Sequence, residues 1–169
     1  MELRPVTLDD LDLYIRMYCD PVMMAELGGP WPREEQPARL QRNVASMEAG
    51  EAWVFKIIPD ETTGEAAGGV TVWEHSGHGE SINEIGWMVL PAFQGQGLAT
   101  AAVRAVMDKA RAEGRWDVLY AFPGVTNGPS NAICRKLGFT KFDESEVELA
   151  GKILRCHPWR INLREAVAD

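Results

Sequence analysis

The chain has 169 residues, 46% of them hydrophobic, which suits one domain with a packed core and excludes a disordered segment. Seventeen Lys and Arg against 25 Asp and Glu leave a formal charge of −8. That disfavours nucleic acid, which needs a basic face, and suits an amine-bearing substrate better. No apolar run approaches the roughly 18–20 residues that span a bilayer, so no membrane partner is expected. Met1-Glu2-Leu3-Arg4-Pro5 lacks the basic start and apolar core of a signal peptide. Cys19, Cys134 and Cys156 are odd in number and widely spaced, and His75, His78 and His157 form no ligand pattern with them. A metal-free protein of the reducing cytoplasm is expected.

Glu2 to Val6 reads as a first strand. Thr7 is then a good N-cap for a helix carrying Leu8, Leu11, Ile15 and Tyr18 at helical spacing, closed by Asp20-Pro21. A loop with Gly28-Gly29-Pro30-Trp31-Pro32 leads to a second helix, about Arg33 to Ala49, stopped by Gly50. Three strands follow, Ala52–Ile58, Ala66–Glu74 and Ile82–Leu90. The short turns Asp60–Gly64 and Ser76-Gly77-His78-Gly79 make them antiparallel neighbours. A helical run from Thr100 to Ala112, a strand from Asp117 to Phe122 and a helix from Asn127 to a glycine C-cap at Gly138 come next. Phe139–Phe142 and Lys152–Leu163 read as two closing strands. The strand–helix–strand unit from Ile82 to Phe122 implies one parallel crossover. The expectation is a single α/β (α+β) domain over residues 1–169, with a mixed, mostly antiparallel sheet of about seven strands and about four helices.

Between the third strand and its helix stands Gln94-Gly95-Gln96-Gly97-Leu98-Ala99. Two glycines at such a junction leave backbone N–H groups bare, and the helix behind them adds partial positive charge. This is a seat for a phosphate or pyrophosphate. A P-loop would need a lysine after Gly97, and there is none. A dinucleotide fingerprint would need a third glycine where Thr100 stands, and an acid at the end of the next strand, whereas Asp117 starts it. Coenzyme A is the third occupant.

Here the residues resemble a family. Gln94-x-x-Gly97-x-Ala99 matches the Gln/Arg-x-x-Gly-x-Gly/Ala signature of the GNAT N-acetyltransferase superfamily. Asn127-x-x-Ser130 and Lys136-Leu137-Gly138-Phe139 resemble its second cofactor-side signature at the usual spacing. Gly28-Gly29-Pro30 and Glu84-Ile85-Gly86-Trp87 look like the branch that includes ribosomal-protein and antibiotic N-acetyltransferases. The resemblance implies acetyl-CoA as co-substrate and a splayed parallel pair, Ile82–Leu90 beside Asp117–Phe122, with the pantetheine arm in the gap. That arm would pair with the open strand edge at Met88, Val89 and Leu90. Main-chain N–H groups of Gln94, Gly95, Gln96, Gly97, Leu98 and Ala99, with Thr100, would hold the pyrophosphate. Asn127 would reach the pantetheine, and Ser130 and Asn131 would lie near the far wall. A homodimer is compatible with the resemblance. The same residues read structurally as a tight turn at the glycines, a helix cap at Asn127 and core at Leu137 and Phe139.

The implied acceptor is a primary amine on a small molecule or a peptide N-terminus. A lysine-like amine must lose its proton first, at about 4 kcal/mol over roughly three pH units. A carboxylate is the usual remedy. Glu84, on one strand face with Gly86 and Met88, is the first candidate, with a solvent-facing strand carboxylate as the alternative. Glu26 is a candidate for holding a cationic acceptor, Trp31 for walling its pocket, and Glu80 and Glu74 stand at strand ends. An open N–H near Val89 would stabilise the developing oxyanion. Much of the family carries a tyrosine seven residues after the asparagine of the second signature, to protonate the leaving thiolate; here that position is Cys134. It is a candidate acid or a small buried helix residue. Beside an N-acetyltransferase, a non-catalytic acyl-CoA-binding module and a nucleotide-dependent oxidoreductase remain as alternatives.

Overall fold

A computed structural model of the chain describes residues 1–77, 80–149 and 151–164. His78 and Gly79 of the expected Ser-Gly-His-Gly turn lie outside them. In chain order the elements are β1 (Glu2–Pro5), α1 (Leu11–Tyr18), α2 (Gln36–Glu48), β2 (Trp53–Ile58), β3 (Gly68–Gly77), β4 (Glu80–Val89), α3 (Leu98–Glu113), β5 (Val118–Ala121), α4 (Gly128–Lys136), β6 (Thr140–Lys141), β7 (Ser145–Leu149), β8 (Lys152–Cys156) and β9 (Trp159–Asn162). Single 3-10 turns precede α1 and α2 at Leu8–Asp10 and Arg33–Glu35. Seven strands form one sheet in the order β1-β2-β3-β4-β5-β9-β6, and β7 and β8 form a separate ribbon. Every pair is antiparallel except β4 with β5. This is the expected mixed α/β architecture.

Three expectations need correction. The run Lys152–Leu163 is two strands, because Pro158 has no N–H to continue a ladder. β8 turns away to pair with β7, while β9 enters the main sheet between β5 and β6. β7 itself was not expected, since Ser145-Glu146-Val147-Glu148 holds one β-former among acids. The predicted turn at Ser76-Gly77 is also strand, part of a longer β3.

The sheet carries an apolar core on each face. On one, α3 turns Ala102, Val103, Val106, Met107 and Ala110 inward at helical spacing, against Phe55, Val70, Val72, Ile85, Leu119 and Ile161. Each Val, Leu, Ile, Met or Phe among them contributes on the order of 1.5–3 kcal/mol when fully buried. On the other, α1 and α2 bring Leu13, Tyr14, Met17 and Leu40 onto Val6, Ala52, Val54 and Leu90. Among the described residues, no helix is long and apolar enough to cross a membrane, and no group of three His, Cys, Asp or Glu is placed to hold a metal ion. Cys19, Cys134 and Cys156 are free thiols.

Candidate active site

β4 pairs with β3 along its whole length, from Gly68↔Val89 to Gly77↔Glu80. With β5 it shares one register pair, Glu84↔Tyr120. Beyond that pair the two strands part, and the C-terminal half of β4 has an unpaired edge. Leu90 N donates to Ala67 O (2.8 Å), and a Cβ on Gly68 would collide with the Met88 carbonyl oxygen. Met88 and Leu90 therefore spend their main chain on the β3 side. Backbone alternation then turns Trp87 and Val89 into the gap. Of the expected trio, Val89 alone presents N–H and C=O there, and Trp87 is the residue that sequence reasoning missed. The Val89 carbonyl accepts from Gln94 Nε2 at 2.8 Å.

The Gln94–Thr100 segment follows directly. Gly95 and Gly97 both sit at φ +76°, in the left-handed region. Built Cβ atoms there meet nothing within 4 Å, so the space over them is open. Gln94 N is used, donating to Pro91 O (3.3 Å). The first donation inside α3 runs from Ala101 to Gly97 O (3.0 Å). The N–H groups of Leu98, Ala99 and Thr100 precede it and point out of the helix start with the positive end of its dipole. A groove of about 370 Å³ continues from there, lined by Gly97, Thr100, Ala101, Arg104, Asp108 and Lys136. Main-chain donors, a free edge ending in Val89 and two flanking cations fit a diphosphate attached to an amide-bearing arm. Bound here, a coenzyme A thioester would supply its acyl group in this gap.

The second signature is spent differently. Asn127 Oδ1 caps α4 by accepting from Ser130 N (3.1 Å). The Asn131 carboxamide is engaged at every hydrogen: Nδ2 donates to Gly124 O (2.9 Å) and Asn127 O (2.8 Å), while Oδ1 accepts from Trp159 Nε1 (2.9 Å). It locks the β5–α4 loop to β9 and has no donor left for a cofactor wall. Ser130 is half-buried in the first turn. Cys134 is 0% exposed, inside the α3-side core, and burial pushes its thiol up to about 12. A thiol placed so deep is a packing residue, which is the structural reading of that position.

On the opposite face of the gap lie Glu84, Gly86 and Met88 of β4 and Tyr120 with Phe122 of β5 and its extension. The ring of Trp73 covers Gly86, where a Cβ would stand 3.2 Å from it. Glu26 reaches in from the 3-10 turn Ala25–Leu27, and its Oε2 accepts from Thr126 Oγ1 at 2.6 Å. Lys152 Nζ donates to Gly28 O, so the β7–β8 ribbon closes over the same loop. Gly124 bridges to Cys156. Burial pushes that thiol up, and the charge of Glu84 adds to the effect. Trp31, in the same loop as Gly28, stacks on Tyr18 (5.7 Å, 19°) with the Arg39 guanidinium 3.5 Å from its ring centre, pinning the loop to α1 and α2. A larger hollow of about 630 Å³, bordered by Trp73, Glu74, Arg115 and Trp116, sits at the other end of β3 and β4, away from the α3 N-terminus.

A splayed parallel pair ending at a glycine-led helix start is the geometry expected of an acyl-CoA-dependent transferase. The profile of the acetyltransferase (GNAT) domain family matches residues 1–140, and the chain belongs to that family. It is an acetyltransferase of the GNAT class. No curated protein sequence matches the chain significantly. Among solved structures it is similar to RimL, a ribosomal L7/L12 α-N-protein acetyltransferase in complex with coenzyme A (20% identity, 95% of this chain and 92% of that one, TM-score 0.78). It is similar to the yncA protein of Salmonella typhimurium with its cofactor acetyl-CoA (22%, 99% and 96%, 0.75). A third is the ribosomal-protein-alanine N-acetyltransferase of Brucella melitensis (20%, 96% and 99%, 0.75). At these identities the likeness is one of fold.

Proposed function

We propose that the chain transfers the acetyl group directly to a primary amine on a small molecule or a peptide N-terminus, with Glu84 taking the acceptor's proton. The observation that carries this reading is the half-open β4 edge: Trp87 and Val89 face the gap, and Glu84 stands at its apex on the acceptor side. The amine nitrogen would form the new C–N bond as the C–S bond breaks, and the second proton lost by that nitrogen would pass to the departing sulfur, so that coenzyme A would leave as the thiol. The Val89 N–H supports the carbonyl oxygen as charge develops on it. Leu98, Ala99 and Thr100 hold the diphosphate through their N–H groups, and Asn127 fixes the helix start beside the arm. RimL, by its name, acts on the N-terminus of a ribosomal protein. A peptide α-amine of pKa near 8 needs only about 1 kcal/mol to deprotonate at neutral pH, against about 4 for a lysine-like amine. The unpaired cysteines suit a reducing, cytoplasmic setting.

The test is calorimetric binding of acetyl-CoA, followed by thiol release against an amine panel with Glu84→Gln alongside. Tight acetyl-CoA binding, and a 10²–10⁴-fold lower kcat/KM in the variant with loss of its acid-side pH dependence, is expected. Absence of acetyl-CoA binding sinks the transferase reading; an unchanged pH–rate profile removes Glu84 as base.

A further inference from the structure

Tyr120 and Phe122 are the two large aromatic residues of the site that belong to neither apolar core. Their rings lie nearly parallel, 6.3 Å apart at 6°, half-buried, on the face opposite Leu119 and Ala121. Tyr120 is paired in register with Glu84. Two residues beyond Phe122, Gly124 has no side chain, and Glu26 Oε2 fills that place, 3.1 Å from where a Cβ would stand. A larger residue at Gly124 would push the carboxylate away. Across the gap, Trp73 stands over Gly86 as a third aromatic wall. The strip thus has a carboxylate at each end and aromatic faces between. Tyr120 and Gly124 are four residues apart, which bounds its length at about 13–14 Å.

From this arrangement we infer that the acceptor carries a second positive charge, on the order of 10 Å from the reacting nitrogen, and that Tyr120, Phe122 and Glu26 select it. The inference rests on the transferase reading above. The chemistry divides the strip. A cation over an aromatic face is stabilised as a cation, which hinders deprotonation there. The reacting amine therefore belongs at Glu84, and the charge that stays belongs over Phe122, against Glu26. The remaining oxygen of Glu26 is the acceptor for it, Thr126 holding the other. Both a linear polyamine and a peptide with Lys or Arg near its N-terminus carry this pattern.

The experiment has separate arms. Acetyl-CoA binding is measured first by calorimetry. Thiol release is then compared for spermidine, for a monoamine of equal length, and for peptides differing only in Lys or Ala at the second and third positions. The member carrying the additional positive charge in at least one matched pair is expected to have at least a tenfold higher kcat/KM, mostly through KM. Glu26→Gln, which keeps the bond to Thr126, and Phe122→Leu should each shrink that ratio toward one. Which pair shows it decides between polyamine and peptide. If acetyl-CoA binds and amines turn over with no preference in either pair, or if both variants keep the full ratio, this inference is overturned and the transferase reading stands. If acetyl-CoA does not bind, or no amine turns over, both fall together.

Discussion

The two halves of the cofactor signature use their residues in opposite ways. At the start of α3, Gly95, Gly97 and the residues after them offer main chain to open space, and almost nothing there is committed to the fold. At the start of α4, Asn127, Asn131 and Cys134 turn their side chains inward, to a helix cap, a three-bond lock and a core. The first region leaves main-chain groups unsatisfied, as the proposed diphosphate seat requires; the second spends its side chains on the fold around the β5–α4 loop. Stability and affinity should separate between the two regions.

Asn131→Ala is the largest expected break. It leaves Trp159 Nε1 without its partner, removes one of the two donors to the Gly124 carbonyl (Asn127 N remains) and opens a cavity, at a cost of about 2–4 kcal/mol in urea unfolding. Acetyl-CoA affinity should follow only as far as folding is lost. A full loss of affinity at intact stability would put Asn131 in the cofactor site after all. Gly97→Val is the counterpart. A β-branched residue at φ +76° costs about 1–2 kcal/mol in the loop, and its side chain fills the space over the first α3 N–H groups. The Kd for acetyl-CoA should rise about tenfold or more, measured by calorimetry at a temperature where the variant is folded. An unchanged Kd would mean that the diphosphate sits elsewhere.

How much of this could be read from residues alone also differs between the regions. The glycine loop, the crossover and the helix faces follow local rules, so Gln94–Thr100 and the splayed pair were legible. Which main-chain groups of β4 face the gap depends on the register with β3, set by a long-range pairing that begins at Gly68. Hence Met88 and Leu90 were expected at the edge and Trp87 was not. Tyr120 and Phe122 alternate with Leu119 and Ala121, a signal that was present but has meaning only once both sheet faces are known. Glu26 reaches the site through a loop closed onto Thr126, a hundred residues away, and composition carries no trace of such a contact. β7 was missed because its strand character comes from pairing with β8 rather than from its own residues.

The smallest expected effect bears on Cys134, where the two regions are easiest to confuse. If the thiol served the reaction it would have to meet the leaving sulfur. Instead it is 0% exposed and packed with the α3-side core. Cys134→Ala should cost about 1 kcal/mol near neutral pH, the price of a few lost contacts. The pH dependence is more telling. Desolvation raises the folded-state thiol from 9.0 to about 12. The folded form thus keeps its proton where the unfolded chain releases it. The thiol's contribution to stability is complete below pH 9 and is lost progressively from there toward pH 12, by at most about 1.4 kcal/mol per pH unit. Wild type should therefore lose stability faster than Cys134→Ala between pH 9 and 11, as read from urea midpoints. Tyr14, also raised by burial, titrates alike in both proteins and cancels in the difference. Equal slopes would mean a thiol open to solvent, and would return Cys134 to the list of groups that could protonate coenzyme A.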